Sequence, residues 1–194
     1  MRKAGFILNL SRGFTLLEVM VVIAIIGVLI AMVQGSYMAS LRKARDARRK
    51  SDLTQIAKAL ETFNHDRGSY PADDGNGLIF GCGDIVTPSL TACDWGDAFE
   101  ITDASTNVLA TYFTELPGDT GSRKYYYDSD GSYYQLYALI ENLEDKDINV
   151  NAAKQTQYYD HTDCGTAAGD QNCNYGVSST NALPTDNSHT LTPP

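Results

Sequence analysis

The 194-residue sequence has few histidines, and its C-terminal two thirds have few basic residues. Three histidines in the whole chain argue against a metal enzyme built on a histidine cluster. Residues 68–194 hold 4 basic and 19 acidic residues, a formal charge of −15, which repels nucleic acid. We therefore expect neither a histidine-based metal centre nor a conventional DNA-binding domain.

The sequence also lacks the spacing and the side-chain sets that zinc binding and catalysis require. No two of the four cysteines are separated by two residues, so a structural zinc site is not predicted. His161 and Cys164 lie close together in the sequence, but the Gly- and Asn-rich segment around them offers no third group to orient them. We therefore do not expect an enzyme.

The N-terminal third is basic and contains the only long apolar run. Residues 1–67 hold 11 basic and 5 acidic residues, a formal charge of +6. Residues 14–33 contain one charged side chain, that of Glu18, and as a helix they would span ~30 Å, the hydrocarbon thickness of a bilayer. The preceding 13 residues hold three basic residues and no acidic one. This pattern predicts a cytoplasmic leader, a membrane segment and an outward-facing remainder.

Glu18 is the unusual residue of the apolar run. A carboxylate costs ~2.5–3.5 kcal/mol at the bilayer centre and less near its edge, so a functional role is the first hypothesis. Two alternatives, a plain anchor and a secretory signal peptide cleaved after Gly35, leave Glu18 unexplained, and a signal peptide usually has a shorter apolar run. Thr15 and Glu18 also fit a capping box, with Thr15 as the N-cap. A local cap and a role in assembly are compatible.

Residues 13–18 (Gly-Phe-Thr-Leu-Leu-Glu), after a basic leader and before an apolar helix, resemble the class III signal of type IV pilins and type II secretion pseudopilins. The resemblance is strong over residues 8–71 and weak over residues 109–143. It implies that a prepilin peptidase cleaves after Gly13 and that Phe14 becomes an N-methylated N-terminus. It also implies that Glu18 pairs with the N-terminal amine of a neighbouring subunit during assembly.

The resemblance implies an α+β, pilin-like fold, in which one long N-terminal helix packs on a small antiparallel β-sheet head. The expected parts are a leader (1–13), a transmembrane and assembly helix (14–35), an amphipathic helical half (36–68) and an extracytoplasmic head (69–194). The residues themselves support the amphipathic half, because apolar side chains recur there at helical spacing and predict a face packed on the sheet. That stripe comprises Leu53, Ile56, Ala57, Leu60 and Phe63. The helix is expected to end near Asn64, before Gly68.

Residues 42–50 form a basic cluster with six bases and one acid, Asp46. Four interpretations are open. The cluster is a solvated helix face with an Asp46–Lys50 pair, a contact for lipid phosphates, a partner for the acidic heads of neighbouring subunits, or a DNA-binding surface. The first and third are favoured equally, because the acidic head is the nearest abundant counter-charge.

The head is expected to contain one β-hairpin and little other regular structure. Residues 72–122 read as loops with a short helix at 107–113 that begins at Asn107. Tyr-rich runs at 124–127 and 133–140 flank an Asp-Gly turn, which predicts a hairpin. An EF-hand beginning at Asp128 is excluded because its last ligand would be Leu139. No cofactor is expected, but a smaller calcium site, as in major pseudopilins, stays an open alternative whose ligands cannot be matched to residues here. The last 15 residues are expected to be flexible.

The four cysteines form two pairs that are close in sequence. An outward-facing domain lies in an oxidising environment, so disulfides are the default. Four cysteines leave three connectivities open. The local connectivity closes short loops in segments expected to have little regular structure, where a bridge is most useful. We therefore expect the bridges Cys82–Cys93 and Cys164–Cys173.

The function expected from these observations is structural, as a pilin-like subunit of an extracytoplasmic helical filament. A type IV pilus subunit is favoured, because disulfide-bearing loops suit a surface-exposed fibre. The alternatives are a pseudopilin of a type II secretion or competence system and a membrane-anchored binding module. The expected partners are copies of the chain, a prepilin peptidase, an inner-membrane assembly platform and, before assembly, the lipid bilayer. The expected location is the cytoplasmic (inner) membrane first, then a periplasmic or cell-surface filament.

Overall fold

The computed structural model describes residues 13–86, 89–121, 123–165, 172–186 and 188–193, without the side chains of residues 32–36. The chain divides into two compact units, Met1–Leu41 and Arg42–Pro194. One long helix, α1 (Leu16–Arg67), is followed by ten strands. The strands are β1 (Ala72–Asp73), β2 (Ile79–Asp84), β3 (Ser89–Cys93), β4 (Phe99–Thr102), β5 (Val108–Phe113), β6 (Tyr126–Asp128), β7 (Gln135–Ala138), β8 (Tyr158–Tyr159), β9 (Tyr175–Ser178) and β10 (Leu191–Thr192).

The first unit consists, in its described part, of the beginning of α1. Every described side chain from residue 13 to residue 31 is exposed, including those of Phe14 and Ile30. This part of the helix therefore buries nothing against its own unit. Among the described residues, no helix combines the length and the apolar character needed to cross a membrane.

The second part of α1 carries the apolar stripe predicted from the sequence. Leu53, Ile56 and Leu60 are fully buried, and Phe63 is nearly so. Phe63 stacks on Phe99 of β4, with ring centroids 5.4 Å apart. The stripe thus packs on the head as predicted. The helix ends at Arg67, three residues beyond the expected Asn64, and Gly68 follows with a φ of 80°, the left-handed conformation that often terminates helices.

The first sheet occupies residues that were expected to be loops. Its strand order is β1-β2-β4-β5, with β3 paired to β2 as well. All its strand pairs are antiparallel except β2 with β4, which is parallel, so the expected purely antiparallel sheet is corrected to a mixed one. Because 72–122 is rich in Gly, Asp and Thr, the turns were evident from the sequence, but the short strands between them were not.

The helix expected at 107–113 is wrong, because these residues form the edge strand β5. Their sequence, Asn-Val-Leu-Ala-Thr-Tyr-Phe, contains β-branched and aromatic residues that favour a strand paired with a neighbour. Asn107 does not cap a helix. The backbone N–H groups of Ser105 and Asn107 donate to Asp103 Oδ1 at 2.8 and 2.9 Å, which closes the turn between β4 and β5.

The second sheet contains the predicted hairpin. β6 and β7 pair antiparallel, with Tyr126 opposite Tyr137, and β9 adds to the other side of β7. All four residues of β7 are buried. The turn contains Gly131 with a φ of 91°, which a glycine adopts without strain. The hairpin is therefore confirmed, and its central strand lies in the core.

The C-terminal residues make defined contacts where the structure describes them, at 172–186 and 188–193. The expected flexibility of the last 15 residues stays a prediction. β10 pairs antiparallel with β8. The Tyr137 hydroxyl donates to the carbonyl of Pro184 at 2.6 Å, and the His189 side chain is buried. The tail is held because it buries side chains on the second sheet, an interaction that its polar composition did not indicate.

The two disulfides join residues that are close in sequence. Cys82 of β2 is bonded to Cys93 of β3, and Cys164 is bonded to Cys173. These are the two local pairs expected from the sequence. All four cysteine side chains are buried, with Cys82 and Cys93 in the main core and the other two in a smaller cluster around Tyr137 and Tyr159.

Candidate functional site

The start of α1 gathers the residues expected to act in processing and assembly. Gly13 and Phe14 lie just before the helix, and Phe14 is 80% exposed. The backbone N–H of Glu18 donates to Thr15 Oγ1 at 3.2 Å, so Thr15 is the N-cap of a helix whose first residue is Leu16. The Glu18 side chain is exposed and belongs to no ion pair among the described residues. It is therefore accessible to a group from outside the chain.

The geometry of this helix start suits an anion better than a cation. The first N–H groups of a helix and its macrodipole make the N-terminus partly positive, so a carboxylate in the first turn is favoured by ~0.3–1 kcal/mol. Glu18 occupies that first turn. Cleavage after Gly13 would add the ammonium of Phe14 at the same end. A Glu18 carboxylate, from the same chain or from a neighbour, would then be able to neutralise it.

A second constellation lies where α1 meets the head, and it is centred on Arg49. The Arg49 side chain is only 2% exposed. Its guanidinium lies 2.7 Å from Asp119 Oδ2, 2.8 Å from Asp46 Oδ1 and 3.0 Å from Glu141 Oε1. Burial alone would lower the pKa of Arg49, but the hydrogen bonds to Asp119 and Glu141 outweigh it and raise the pKa. Arg49 is thus charged in the core and paired on three sides.

Glu141 is the acidic centre of the same network. Arg45 donates to both carboxylate oxygens, and Arg123 Nη1 lies 2.8 Å from Oε1. The hydrogen bond from Arg45 is the largest cause that lowers the pKa of Glu141 to about 2, with Arg49 and Arg123 adding to it and burial opposing it. Glu141 is therefore ionised at neutral pH.

Asp46 ties the helix to the backbone of the head. Its two carboxylate oxygens accept hydrogen bonds from the backbone N–H groups of Glu141 and Asn142, both at 2.9 Å. Asp46 is 1% exposed. Hydrogen bonds from N–H groups to a carboxylate are charge-assisted and stronger than neutral ones, so this residue fixes the segment that carries Glu141 against α1.

Lys50, one helical turn after Asp46, extends the network. Its ammonium lies 2.6 Å from Asp145 Oδ1 and 2.7 Å from Asp147 Oδ2, and 5.3 Å from the centroid of the Tyr175 ring. The predicted Asp46–Lys50 pair is not formed, since Asp46 pairs with Arg49. Three members of the basic cluster, Arg45, Arg49 and Lys50, thus pair with acids of their own head.

Pairing within the chain was absent from the four interpretations of residues 42–50, although the sequence contained a signal for it. Asp46, Arg49, Leu53, Ile56 and Leu60 recur at steps of three and four residues. The pair Asp46 and Arg49 therefore lies on the continuation of the buried apolar stripe. Its burial against the head requires acids on the facing surface. Those acids, at 119 and 141–147, are too far away in sequence to be matched to it.

The N-terminal segment also matches known proteins. A family model described as "Prokaryotic N-terminal methylation motif" matches residues 8–33. The type II secretion system core protein G of Escherichia coli (strain K12) is 45% identical over 61 residues, 31% of this chain and 42% of that protein.

The N-terminal third of the chain carries the prepilin-type motif of the type IV pilin and pseudopilin family.

Other relatives of this pilin-like chain carry the same description. The core protein G of Klebsiella pneumoniae is 43% identical over 64 residues, 33% of this chain and 46% of that protein. That of Pectobacterium carotovorum subsp. carotovorum is 41% identical over 64 residues, 33% of this chain and 41% of that protein. The match thus spans less than half the length of these curated relatives. No solved structure matches the chain.

The pilin-like head contains no group of three or more His, Cys, Asp or Glu side chains arranged to hold a metal ion within the described residues. The loop around Asp130 is closed instead by its own hydrogen bonds, because the Asp130 carboxylate accepts from both the N–H and the hydroxyl of Ser132. A catalytic role for His161 together with Cys164 was considered above. Cys164 is bonded to Cys173, so it offers no thiol.

One buried histidine of the pilin-like head was missed by the sequence analysis. His189 Nδ1 lies 2.9 Å from the carbonyl oxygen of Asp160, and its Nε2 lies 3.2 Å from Asp128 Oδ2. Both partners are acceptors, so only the doubly protonated ring satisfies both. Burial lowers the pKa of His189, but the interactions with Asp128 and Asp160 outweigh it and raise the pKa. His189 therefore connects the C-terminal residues to Asp128 and Asp160.

Proposed function

We propose that this chain is a pseudopilin, a subunit of the periplasmic filament of a type II secretion system, polymerised from copies of itself after cleavage by a prepilin peptidase. The observation that carries the proposal is the methylation motif at residues 8–33 together with relatives that are named as a core protein of that system. The capped helix start at Thr15 supports it, because it presents Glu18 beside the expected new N-terminus.

This proposal replaces the type IV pilus subunit that the sequence analysis favoured. That preference rested on disulfide-bearing loops in the head, and such loops strengthen any extracytoplasmic domain. The named relatives favour the secretion alternative. The pilus reading stays the second candidate, because the two disulfide-linked segments, at 82–93 and 164–173, are features a surface fibre would use.

Assembly is proposed to pass through a membrane stage. The apolar run 14–33 has the length of a bilayer core, and its last two residues lie outside the described side chains. The exposed apolar side chains of the first unit would lie in lipid before assembly and against other copies afterwards. Their transfer from lipid to other copies exchanges one apolar environment for another, so close packing between helices, rather than removal from water, would hold the copies together.

Glu18 is proposed to set the register of the filament. Within an apolar filament interior, the ammonium of Phe14 and the carboxylate of Glu18 both lose water, and each alone is costly. Paired between neighbours, they largely offset one another. A copy displaced by the wrong amount would leave two unpaired buried charges, so the pair selects one axial offset. The helix macrodipole is too weak to do this alone.

The head is proposed to move as one body with the second part of α1. The apolar stripe and the charged network around Arg49 attach the same helix to both the first sheet and the segment 141–147. A subunit added at the base of a filament would therefore displace its head together with its helix. This requirement suits a filament that advances by addition of subunits, and an anchored binding module has no need for it.

The test of the proposed function begins with processing. Mass spectrometry of the chain co-produced with a type II secretion apparatus should give a mature start at N-methyl-Phe14, and Gly13→Val should accumulate as an uncleaved membrane precursor. A matched change at Gly27, Gly27→Val, should be processed normally, since nothing lies within 4 Å of the Cβ it adds. A mature start at Ser36 would indicate an ordinary signal peptide and end the filament proposal.

The second part of the test separates secretion from pilus function. Deletion of the gene should abolish export by the cognate secretion apparatus, while sheared cell surfaces should lack filaments of this chain at native expression. Abundant surface filaments with secretion intact would favour the pilus candidate instead.

A further inference from the structure

One end of the head differs from the rest of its surface in charge and polarity. This end, here called the loop-141 end, consists of residues 141–147 and the beginning of the second unit at residues 42–50. Arg45, Arg49 and Lys50 are paired there with acids. Three further bases at this end, those at 42, 43 and 146, are exposed and belong to none of the ion pairs within the described residues. Leu143 is 53% exposed among them.

Two open clefts flank the exposed leucine. One, of about 340 Å³, is lined by Arg42 and Arg123 together with Leu143 and Tyr158. The other, of about 400 Å³, is lined by Lys43, Lys146, the two acids that hold Lys50 and a further acid, Glu144. The loop-141 end thus presents an apolar tip between two clefts whose walls carry cations without an ion-pair partner. Ammonium and guanidinium groups beside an exposed aliphatic side chain are the combination that binds an anionic lipid interface.

We propose that the loop-141 end docks on the anionic headgroups of the bilayer before the subunit joins the filament. The proposal rests on the membrane stage of the proposed function. Leu143 would enter the interface, and Arg42, Lys43 and Lys146 would contact lipid phosphates.

Chain connectivity keeps this end near the bilayer. Arg42 follows Val33, the last residue of the apolar run, by nine residues, so even a fully extended chain of that length spans at most ~30 Å. While the apolar run is inserted, Arg42 therefore stays within that distance of its last residue.

The charge of the remaining head surface restricts which side can face anionic lipid. Residues 42–194 hold 12 basic and 23 acidic residues, a formal charge of −11. Most exposed acids with no ion pair in the described part of the chain, such as Asp94, Asp97 and Glu115, lie outside the loop-141 end, which holds one such acid, Glu144. A surface of that sign is repelled by anionic headgroups. The loop-141 end is the exception, because most of its six neighbouring acids form ion pairs with Arg45, Arg49, Lys50 and Arg123.

The proposal is tested with the full-length chain in vesicles. Leu143→Trp is reconstituted into vesicles of phosphatidylglycerol and phosphatidylcholine that contain a nitroxide-headgroup lipid, and the emission of the wild-type chain, which has one tryptophan, is subtracted. The control is Leu183→Trp, since Leu183 is 63% exposed and lies away from the loop-141 end. Flotation first establishes that each chain is membrane-bound, and far-ultraviolet circular dichroism establishes that each head is folded.

The expected result is that nitroxide headgroups quench Leu143→Trp at least about twofold in anionic vesicles and leave Leu183→Trp unchanged. Quenching should fall at 0.5 M salt, in pure phosphatidylcholine and in the triple variant Arg42→Glu/Lys43→Glu/Lys146→Glu. The matched triple variant Lys58→Glu/Arg67→Glu/Lys154→Glu, which changes three exposed bases elsewhere, should keep it.

Three results would overturn the docking proposal. The first is equal quenching at both positions, and the second is quenching that does not depend on lipid charge. The third is an emission change that follows protein density rather than lipid composition, which would assign the surface to a second copy. A chain that fails to float would instead refute the membrane stage of the proposed function. The two failures are therefore distinguishable.

Discussion

The two units of this chain use their apolar residues in opposite ways. From residue 13 to residue 31 every described side chain is exposed, although the segment is the most apolar of the sequence. In the second unit, residues of the same helix are fully buried, and even the charged Arg49 is removed from solvent. Apolar composition by itself therefore does not say where a residue is buried. The apolar side chains described in the first unit are exposed, whereas those of α1 in the second unit pack on the head.

This difference predicts that changes in the first unit affect assembly and that changes in the second unit affect folding. Four experiments test the division, and they are ordered from the largest expected effect to the smallest.

Glu18→Ala should remove filament assembly almost completely while leaving processing and head folding unchanged. The substitution leaves the Phe14 ammonium without a counter-charge in the filament interior. Glu18→Gln should assemble no better, because a neutral amide does not neutralise an ammonium. The measurement is electron microscopy of filaments and the yield of cross-linked multimers, with Glu115→Ala as a control that removes an exposed acid from the head. Wild-type numbers of filaments from Glu18→Ala subunits would reduce Glu18 to a helix-capping residue.

Arg49→Met should destabilise the head by about 3–5 kcal/mol, because Asp46 and Asp119 would remain buried without their partner. Arg48→Met is the matched control one residue away. The Arg48 side chain is 65% exposed and its Nε lies 3.7 Å from Asp52, so its removal should cost about 0.5 kcal/mol or less. The measurement is denaturant unfolding of the full-length chain in detergent, followed by near-ultraviolet circular dichroism of the tyrosine-rich head. Equal losses for the two variants would show that burial of Arg49 does not matter for stability.

Removal of the Cys82–Cys93 bridge, as Cys82→Ala/Cys93→Ala, should lower the free energy of unfolding by about 2–4 kcal/mol. The bridge joins neighbouring strands β2 and β3. Membrane insertion of the same variant should be unchanged, because both cysteines lie in the second unit. Non-reducing peptide mapping checks the pairing first. A bridge between Cys93 and Cys164 would contradict the structure, and defective insertion would contradict the independence of the units.

Two groups of the head, Glu141 and His189, together predict that the head is most stable between about pH 4.5 and 6.5. The pKa of Glu141 is lowered from 4.5 to about 2, so its contribution is complete above its unfolded pKa and is lost as the pH falls towards 2. The pKa of His189 is raised from 6.5, so its contribution is complete below 6.5 and is lost as the pH rises through the folded value. The second effect is the smaller one.

Midpoints of thermal unfolding below about pH 4.5 and above about pH 6.5 check the two limbs separately. Glu141→Gln should flatten the acid limb and His189→Asn the alkaline limb. His161→Asn is the matched histidine control, since the His161 side chain is 68% exposed and its loss should leave both limbs as they are. An alkaline limb that survives in His189→Asn would rule out this histidine as its source.

Local patterns in the sequence predicted the helical stripe, the hairpin and the helix cap, because each depends on residues within a few positions of one another. Leu53 and Leu60 follow the helical period, and Gly131 follows an aspartate between tyrosine-rich strands. The short strands of residues 72–122 were missed because each is stabilised by pairing rather than by its own composition, as β5 with β4 shows.

The charged network was missed for a related reason. Arg45 and Glu141 are 96 residues apart, and one sequence contains no information on which of its 24 acidic residues faces a given base. The contacts of the C-terminal residues were missed because polar composition does not indicate them. His189 and the segment near Pro184 are held by hydrogen bonds to distant residues, Asp160 and Tyr137.

The bonds made by Arg45, Arg49 and Lys50 have a mechanical consequence. Their attachment points are spread over five residues of α1, about 7.5 Å along the helix axis. A pull along that axis strains all of them at once, in shear, so no single bond can be opened ahead of the others. A pull perpendicular to the axis would peel them off one at a time and would need less force. The joint between helix and head is therefore strongest along the axis of α1.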